Sequence, residues 1–237
     1  MSKSNLKSAT TETYSIKTVS KYLDYIRKIE KDANEVIFYR GHSDVNYELI
    51  PSIGRKKKEE EKNLYDKADE KQIFLDFKKR YYSFTDSRLT EDIDILFLAQ
   101  HHELPTRLLD WSNNPLIALY FACQHHENKD GQVYSIKITN ARLEEGHSFD
   151  FLNPKEYKQE YMPILPDDIH IRYIHQSGLF VLFRNPYIPL QISPSFTIKN
   201  ENKQDILKEL ALLGITDSYV LPTLDNLCKE IKNKYQK

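Results

Sequence analysis

The sequence lacks long apolar runs and has few cysteines. No run approaches the roughly 20 apolar residues of a membrane-spanning helix, and residues 1–14 lack the apolar stretch of a secretory signal. Two cysteines do not make a disulfide framework, and both Cys123 and Cys228 lie in apolar or helical patterns that predict small core residues. We therefore expect a cytoplasmic protein that does not associate with membranes.

A strong net charge is also missing. Lys and Arg number 34 against 35 Asp and Glu, for a formal net charge of −1, which gives no global attraction to nucleic acid or anionic lipid. No Cys/His cluster occurs, and the adjacent His101 and His102 point about 100° apart on a helix, so we expect no metal site. The motifs GxGxxG, GxxxxGK and GxSxG are absent, which argues against classical kinases and hydrolases.

What is present fits a packed globular protein. The chain has 237 residues, of which 40% are hydrophobic and 12% aromatic, and this length supports a sizeable core. We find no internal repeat and no Gly/Ser linker. We therefore expect a flexible N-terminal tail over residues 1–15 and a single domain over residues 16–237.

Hydrophobic spacing predicts both helices and strands. Helices are expected over residues 19–29, from the charged run 56–62 through a stripe ending at Phe84, and over 91–102, 115–123, 206–213 and 224–235. Strands are expected over 35–39, 133–138, 179–183 and 196–198, with residues 106–111 extended. Asn114-Pro115 is typical of a helix start and Gly214 of a helix end. The pattern predicts an α/β (α+β) fold with a mixed or antiparallel central sheet.

The first candidate site segment covers residues 38–55. Arg40 ends a predicted strand and precedes Gly41, so its planar guanidinium can face a phosphate or a carboxylate. The alternative is an Arg that ties down the next loop through backbone carbonyls. Arg55 closes the same segment.

Two further segments carry polar residues that a core alone would not select. Residues 99–122 contain Asp110, which is either a site carboxylate or a residue that caps its own turn, and Trp111, which is either a pocket wall or a core residue. Arg172, His175 and Gln176 precede Gly178 at the entrance of a predicted strand. Such a position suits a cleft and an ordinary sheet edge equally.

These segments resemble the FRG domain family. The resemblance rests on FYRG at residues 38–41, the block QHHELPTRLLDWSNNPLIALYFA at 100–122, the segment Gln176-x-Gly178-Leu179-Phe180, and a C-terminal ILKELALLGIT…LPTLDNLCKEI. It extends from about residue 16 to 234. FRG domains occur mainly in bacteria and phages, and their biochemical role is largely unassigned, so a toxin or phage-defence effector is an expectation that belongs to the enzyme interpretation given below.

A fainter resemblance links the chain to ADP-ribosyltransferases, whose sites run from a strand Arg through a Ser/Thr strand to a late Glu. It implies NAD as a substrate, with Arg40 on a phosphate, Thr106 and Asp110 on the nicotinamide-ribose side, and Gln176 orienting the ribose. The implied cofactor-binding residues are Arg40, Gly41, Arg55, His101, Arg107 and Trp111. Gln176 departs from the pattern, because it cannot supply the charge of a Glu.

The leading interpretation is thus an NAD- or nucleotide-using enzyme, an ADP-ribosyltransferase or NAD glycohydrolase, with a small nucleotide ligand and a protein or nucleic-acid acceptor. One alternative is a non-catalytic module that recognises a ligand or a protein. A second is a nuclease or nucleic-acid binder that uses His101, Arg107 and Lys-rich helix faces. A third is purely structural: Arg40 and Asp110 form an internal ion pair.

Overall fold

The computed structural model describes residues 6–30, 35–57, 62–85, 88–139, 144–145, 150–153, 157, 159–165 and 178–235. Within them, the strands are β1 (Tyr14–Ile16), β2 (Glu35–His42), β3 (Leu108–Ser112), β4 (Gly131–Thr139), β5 (Glu144–Glu145), β6 (Tyr161–Leu165), β7 (Gly178–Phe183) and β8 (Phe196–Ile198). The α-helices are α1 (Val19–Ile29), α2 (Lys67–Arg80), α3 (Asp92–His101), α4 (Pro115–Cys123), α5 (Lys203–Leu212), α6 (Asp217–Val220) and α7 (Leu224–Tyr235).

The strands form one mixed sheet in the order β1-β8-β4-β2-β3-β7-β6-β5. The five inner pairings are antiparallel, and the outer pairs β1–β8 and β5–β6 are parallel. Helices pack against this sheet through separate apolar clusters. One cluster joins α1, α4 and α5 to β2 and β4, and another joins α2 and α3 to β3 and β7, where Phe97 stacks on Phe180 at 4.9 Å. The predicted α+β class is confirmed.

Helix α4 lies in direct backbone contact with the centre of the sheet. As predicted, Asn114 caps it, since its side-chain oxygen accepts a hydrogen bond from the Leu116 N–H at 3.0 Å. A Cβ added to Gly41 would stand 1.9 Å from the Ala118 carbonyl oxygen, so only glycine allows this approach. The short Asn-Pro start and Gly41 therefore place α4 against the end of β2.

The start of α2 differs from the prediction. The helix begins at Lys67 behind a capping box in which Asp66 and Asp69 bond each other's backbone, whereas the sequence pattern predicted a helix from the charged run 56–62, of which 58–61 lie outside the described residues. The apolar stripe also ends early, because Phe84 lies beyond the helix and is 82% exposed. Local capping chemistry decided the boundary.

Two other expectations are corrected. Residues 6–16 are not a loose tail: Leu6 is buried, Ser8 bridges to Ile136, and β1 pairs with β8. Cys123 is buried as predicted, but Cys228 is exposed, because α7 keeps no buried residue. Strand β6 was also not anticipated.

A buried ion pair joins α2 to the start of β3. Arg107 and Glu70 are each 5% exposed, and their charged groups approach to 2.5 Å. The guanidinium also donates to the Tyr157 hydroxyl at 3.0 Å. The pair fixes α2 to β3. Without Glu70 the Arg107 cation would be buried with no counter-charge, so the loss of either partner strongly lowers the free energy of unfolding.

We expect Glu70→Gln to lower the free energy of unfolding by roughly 3–5 kcal/mol, because it leaves the Arg107 cation buried without a counter-charge. Urea denaturation measures this loss. Asp205→Asn is the control, since the Asp205–Lys208 pair is exposed and such pairs contribute little. A Glu70→Gln protein as stable as the control would contradict the assignment.

Candidate functional site

A cleft of about 470 Å³ opens where β2 and β3 separate. Both strands are described along their full length, and Tyr39 and Ser112 are the one register pair between them. Past that pair, Arg40 and Asp110 both line the cleft, together with Arg55. Its apolar wall consists of Leu104, Ile117, Phe121 and Trp111. The cleft thus combines two guanidinium groups and two carboxylates, those of Asp110 and Glu103, with an apolar surface.

The Arg40 side chain is held from two sides. Its Nε donates to Nε2 of His42 at 3.0 Å, and its Nη1 donates to the backbone carbonyl of Asp110 at 2.6 Å. The Asp110 carboxylate lies 3.8 Å from Nη1. None of the described residues accepts a hydrogen bond from Nη2. The guanidinium is therefore fixed, with donors left for a ligand.

His42 is neutral in this arrangement. Its Nε2 accepts from Arg40, so Nδ1 carries the proton and donates to the Tyr47 carbonyl at 3.2 Å. Burial lowers the pKa of His42 to about 3, and the nearby Arg40 charge acts in the same direction. A neutral imidazole is what a buried cation needs as an acceptor.

Arg55 adds a second positive charge beside Arg40. Burial lowers the pKa of Arg40 to about 10, the Asp110 carboxylate opposes this shift, and the Arg55 charge adds to it. The Arg40 guanidinium therefore remains cationic at neutral pH. Two adjacent cations, one of them fixed, make an electrostatic site for a phosphate group.

A chain of side-chain hydrogen bonds orients Asp110. The Thr106 hydroxyl donates to Oε1 of Gln100 at 2.5 Å, and Nε2 of Gln100 donates to Oδ2 of Asp110 at 2.9 Å. Thr106 is 2% exposed and also bonds Ser52, so it supports the site from behind. The Asp110 side chain is 50% exposed and meets the cleft.

The structure brings most of the predicted residues together. Arg40, Gly41, Arg55, His101, Asp110 and Trp111 line the cleft, and Thr106 reaches it through Gln100. Trp111 serves both interpretations, because it is 3% exposed within an apolar cluster and forms part of the wall. Arg107 is not brought to the cleft, since Glu70 holds it elsewhere. Gln176, Arg172 and His175 lie outside the described residues.

Sequence reasoning did not select five polar residues of the site: His42, Ser52, Gln100, Glu103 and Ser112. His42 could have been found from the sequence. Residues two apart on a strand share a face, and Arg40 and His42 are two residues apart on β2. Gln100 and Glu103 flank the two histidines in the block that was considered, but nothing in the sequence indicated which side chain would meet Asp110.

One family comparison bears on this region: residues 35–131 match the model of the FRG domain family. These residues are therefore similar to FRG domains. The FRG match includes β2, α2, α3, β3 and α4, and hence every residue that lines the cleft. The resemblance over residues 176–180 and at the C-terminus lies beyond the FRG match. No curated protein and no solved structure matches the chain.

Neither a metal site nor a membrane span is found in the described part of this protein. Among the residues searched, no three His, Cys, Asp or Glu side chains stand together in a way that would hold an ion. None of the described helices combines the length and the apolar character that a membrane span requires.

Glu103 lines the cleft and has a strained backbone conformation. Helix α3 ends in a Schellman motif, in which the Leu104 N–H bonds the Ala99 carbonyl at 3.0 Å and the Glu103 N–H bonds that of Gln100 at 3.0 Å. Glu103 has φ +62°, a left-handed conformation that favours glycine. Helix α5 ends in the same motif, and there the position is Gly214 at φ +81°.

These two helix ends give a matched pair of substitutions. Glu103→Gly should raise the free energy of unfolding by about 1 kcal/mol, because glycine relieves the left-handed strain, and Gly214→Ala should lower it by about as much. A Cβ at Gly214 meets nothing within 4 Å, so that loss reports backbone strain alone. Urea denaturation measures both, and a destabilised Glu103→Gly protein would show that the Glu103 side chain stabilises the fold.

The neutral state of His42 predicts that the free energy of unfolding of the protein depends on pH. Because its folded pKa is about 3 and its unfolded pKa is about 6.5, only the unfolded chain takes up this proton between those values. The contribution of neutral His42 to the free energy of unfolding is complete above pH ~6.5 and is lost as the pH falls towards ~3. His42→Gln should therefore lose less stability than wild type between pH ~7.5 and ~4.5. Equal losses in the two proteins would contradict the assignment.

Proposed function

We propose that the cleft binds NAD or a related nucleotide, with a phosphate group on Arg40. The observation that carries the proposal is the Arg40 guanidinium, fixed by His42 and by the Asp110 carbonyl, with Nη2 left for a ligand and Arg55 nearby. Such a preorganised fork suits phosphate better than a flexible Lys would, since the geometry is set before the ligand arrives.

Asp110 supports a catalytic role at the same cleft. Its carboxylate is held by Gln100, is half exposed and lies 3.8 Å from Arg40. When the C1′–N bond of NAD breaks, the electron pair leaves with nicotinamide and positive charge develops on the ribose. A carboxylate beside that carbon stabilises the charge, and water or an acceptor nucleophile then bonds C1′ and releases its proton. Asp110 thereby takes the role for which Gln176 lacks the charge.

A second candidate is a recognition module that binds the nucleotide without turnover. It is favoured by the proximity of Asp110 to the Arg40 cation, which offsets the negative charge that catalysis would use. The nucleic-acid alternative has lost one of its residues, because Arg107 is buried against Glu70, and we do not propose it.

The binding part is tested by thermal unfolding with NAD, ADP-ribose and ATP. NAD and ADP-ribose should raise the melting temperature of wild type. At a hundredfold excess over Kd, ligand binding raises the free energy of unfolding by about 2.7 kcal/mol. Arg40→Ala should remain folded and lose this shift, while Arg184→Ala, which alters an exposed pair with Glu160, should retain it. If Arg40→Ala unfolds, Arg40→Lys takes its place, because it keeps the positive charge and removes the planar guanidinium. An undiminished shift in a folded Arg40 variant contradicts the proposal.

The catalytic part is tested by nicotinamide release from NAD. Asp110→Asn keeps an oxygen for the Gln100 amide but removes the charge, so it should abolish release and preserve ADP-ribose binding. Release by Asp110→Asn at the wild-type rate would exclude Asp110 from the chemistry. Binding by wild type with no release would favour the recognition module.

A further inference from the structure

A second cavity lies beside the cleft, between α2 and α3. This α2–α3 groove has a volume of about 560 Å³, and its wall is mostly aromatic and aliphatic. Phe77, Tyr81 and Phe84 form the aromatic part, with Leu98 and His102 opposite. Phe84 is 82% exposed, an unusual position for a large apolar side chain beside a groove.

The groove and the cleft meet at the end of α3. Leu104 lines both cavities, whereas the adjacent His101 lines the cleft and His102 lines the groove. The left-handed Glu103 makes the sharp turn that presents Leu104 to both sides. The two cavities are therefore adjacent and share Leu104 as a lining residue.

The chemistry of the groove suits a planar heterocycle. The Phe77 and Tyr81 rings stack on each other, 5.8 Å apart at 23°, and Tyr81 is only 5% exposed, so Phe84 is the ring of the groove that presents an exposed face. Arg80, Asp76 and His102 bring hydrogen-bonding groups to the same wall. Aromatic faces with a few polar groups are typical of sites that stack nucleobases.

We propose that the α2–α3 groove is the second base subsite of a dinucleotide whose phosphate groups lie on Arg40. This inference rests on the proposed nucleotide function and makes it more specific: the preferred ligand has two bases, one against the apolar wall of the cleft and the other on Phe84. A mononucleotide fills the cleft alone.

The ribose that meets Asp110 carries nicotinamide, so the base on Phe84 is adenine, and calorimetric titration with NAD and with nicotinamide mononucleotide tests the subsite. Phe84→Ala should weaken NAD binding by about tenfold, as loss of one stacked base does, and leave the binding of nicotinamide mononucleotide unchanged. Phe84 is too exposed to support the core, so the variant should fold. Tyr82→Ala is the matched control, because Tyr82 is also exposed, at 55%, is two residues away and does not line the groove; it should bind NAD as wild type does.

The outcomes separate this inference from the proposal beneath it. If wild type binds NAD, and Phe84→Ala binds it as tightly as Tyr82→Ala does, the subsite is wrong and the nucleotide cleft stands. An equal loss of affinity for NAD and for nicotinamide mononucleotide in Phe84→Ala also overturns the subsite, since the effect would then lie in the cleft. If wild type binds neither ligand, the nucleotide function fails and the subsite fails with it.

Discussion

The site depends on one buried cation at the point where two strands separate. The Arg40 side chain is 17% exposed, and a cation so placed must find acceptors near it. It finds a neutral imidazole and a backbone carbonyl, one on its own strand and one on the strand that diverges. The same bonds fix the tautomer of His42, join β2 to β3 beyond their last register pair, and aim the remaining donors at the cleft.

The packing of α4 sets the other wall of the site. Gly41 follows Arg40 and lets the backbone of α4 approach β2, and Gly131 does the same at β4, where a Cβ would stand 2.2 Å from the Ala122 carbonyl oxygen. This close approach brings Ile117 and Phe121 to the cleft. The close approach of α4 therefore accounts for a glycine after Arg40.

Features with local causes were predictable from the sequence. The Asn114 cap and the Gly214 helix end each depend on a few neighbouring residues, and both are present. Arg40, Asp110 and Trp111 were selected from the sequence and all three line the cleft, while their roles in binding stay predictions.

Features set by distant partners were not predictable. Nothing near Arg107 indicates that it pairs with Glu70, 37 residues earlier, and nothing in residues 6–16 indicates that β1 pairs with β8. The strained Glu103 was missed because a left-handed residue other than glycine leaves no sequence signal. Such pairings are decided by the fold as a whole, and they determine which polar residues remain free to bind a ligand.

A crystal structure with bound ADP-ribose tests the central claim most directly, because it locates the phosphate groups. The account predicts a pyrophosphate oxygen within hydrogen-bond distance of Arg40 Nη2, with the ribose beside Asp110 and His42 still accepting from Nε. ADP-ribose bound away from Arg40, or a cleft that stays empty while the ligand occupies another surface, would contradict it.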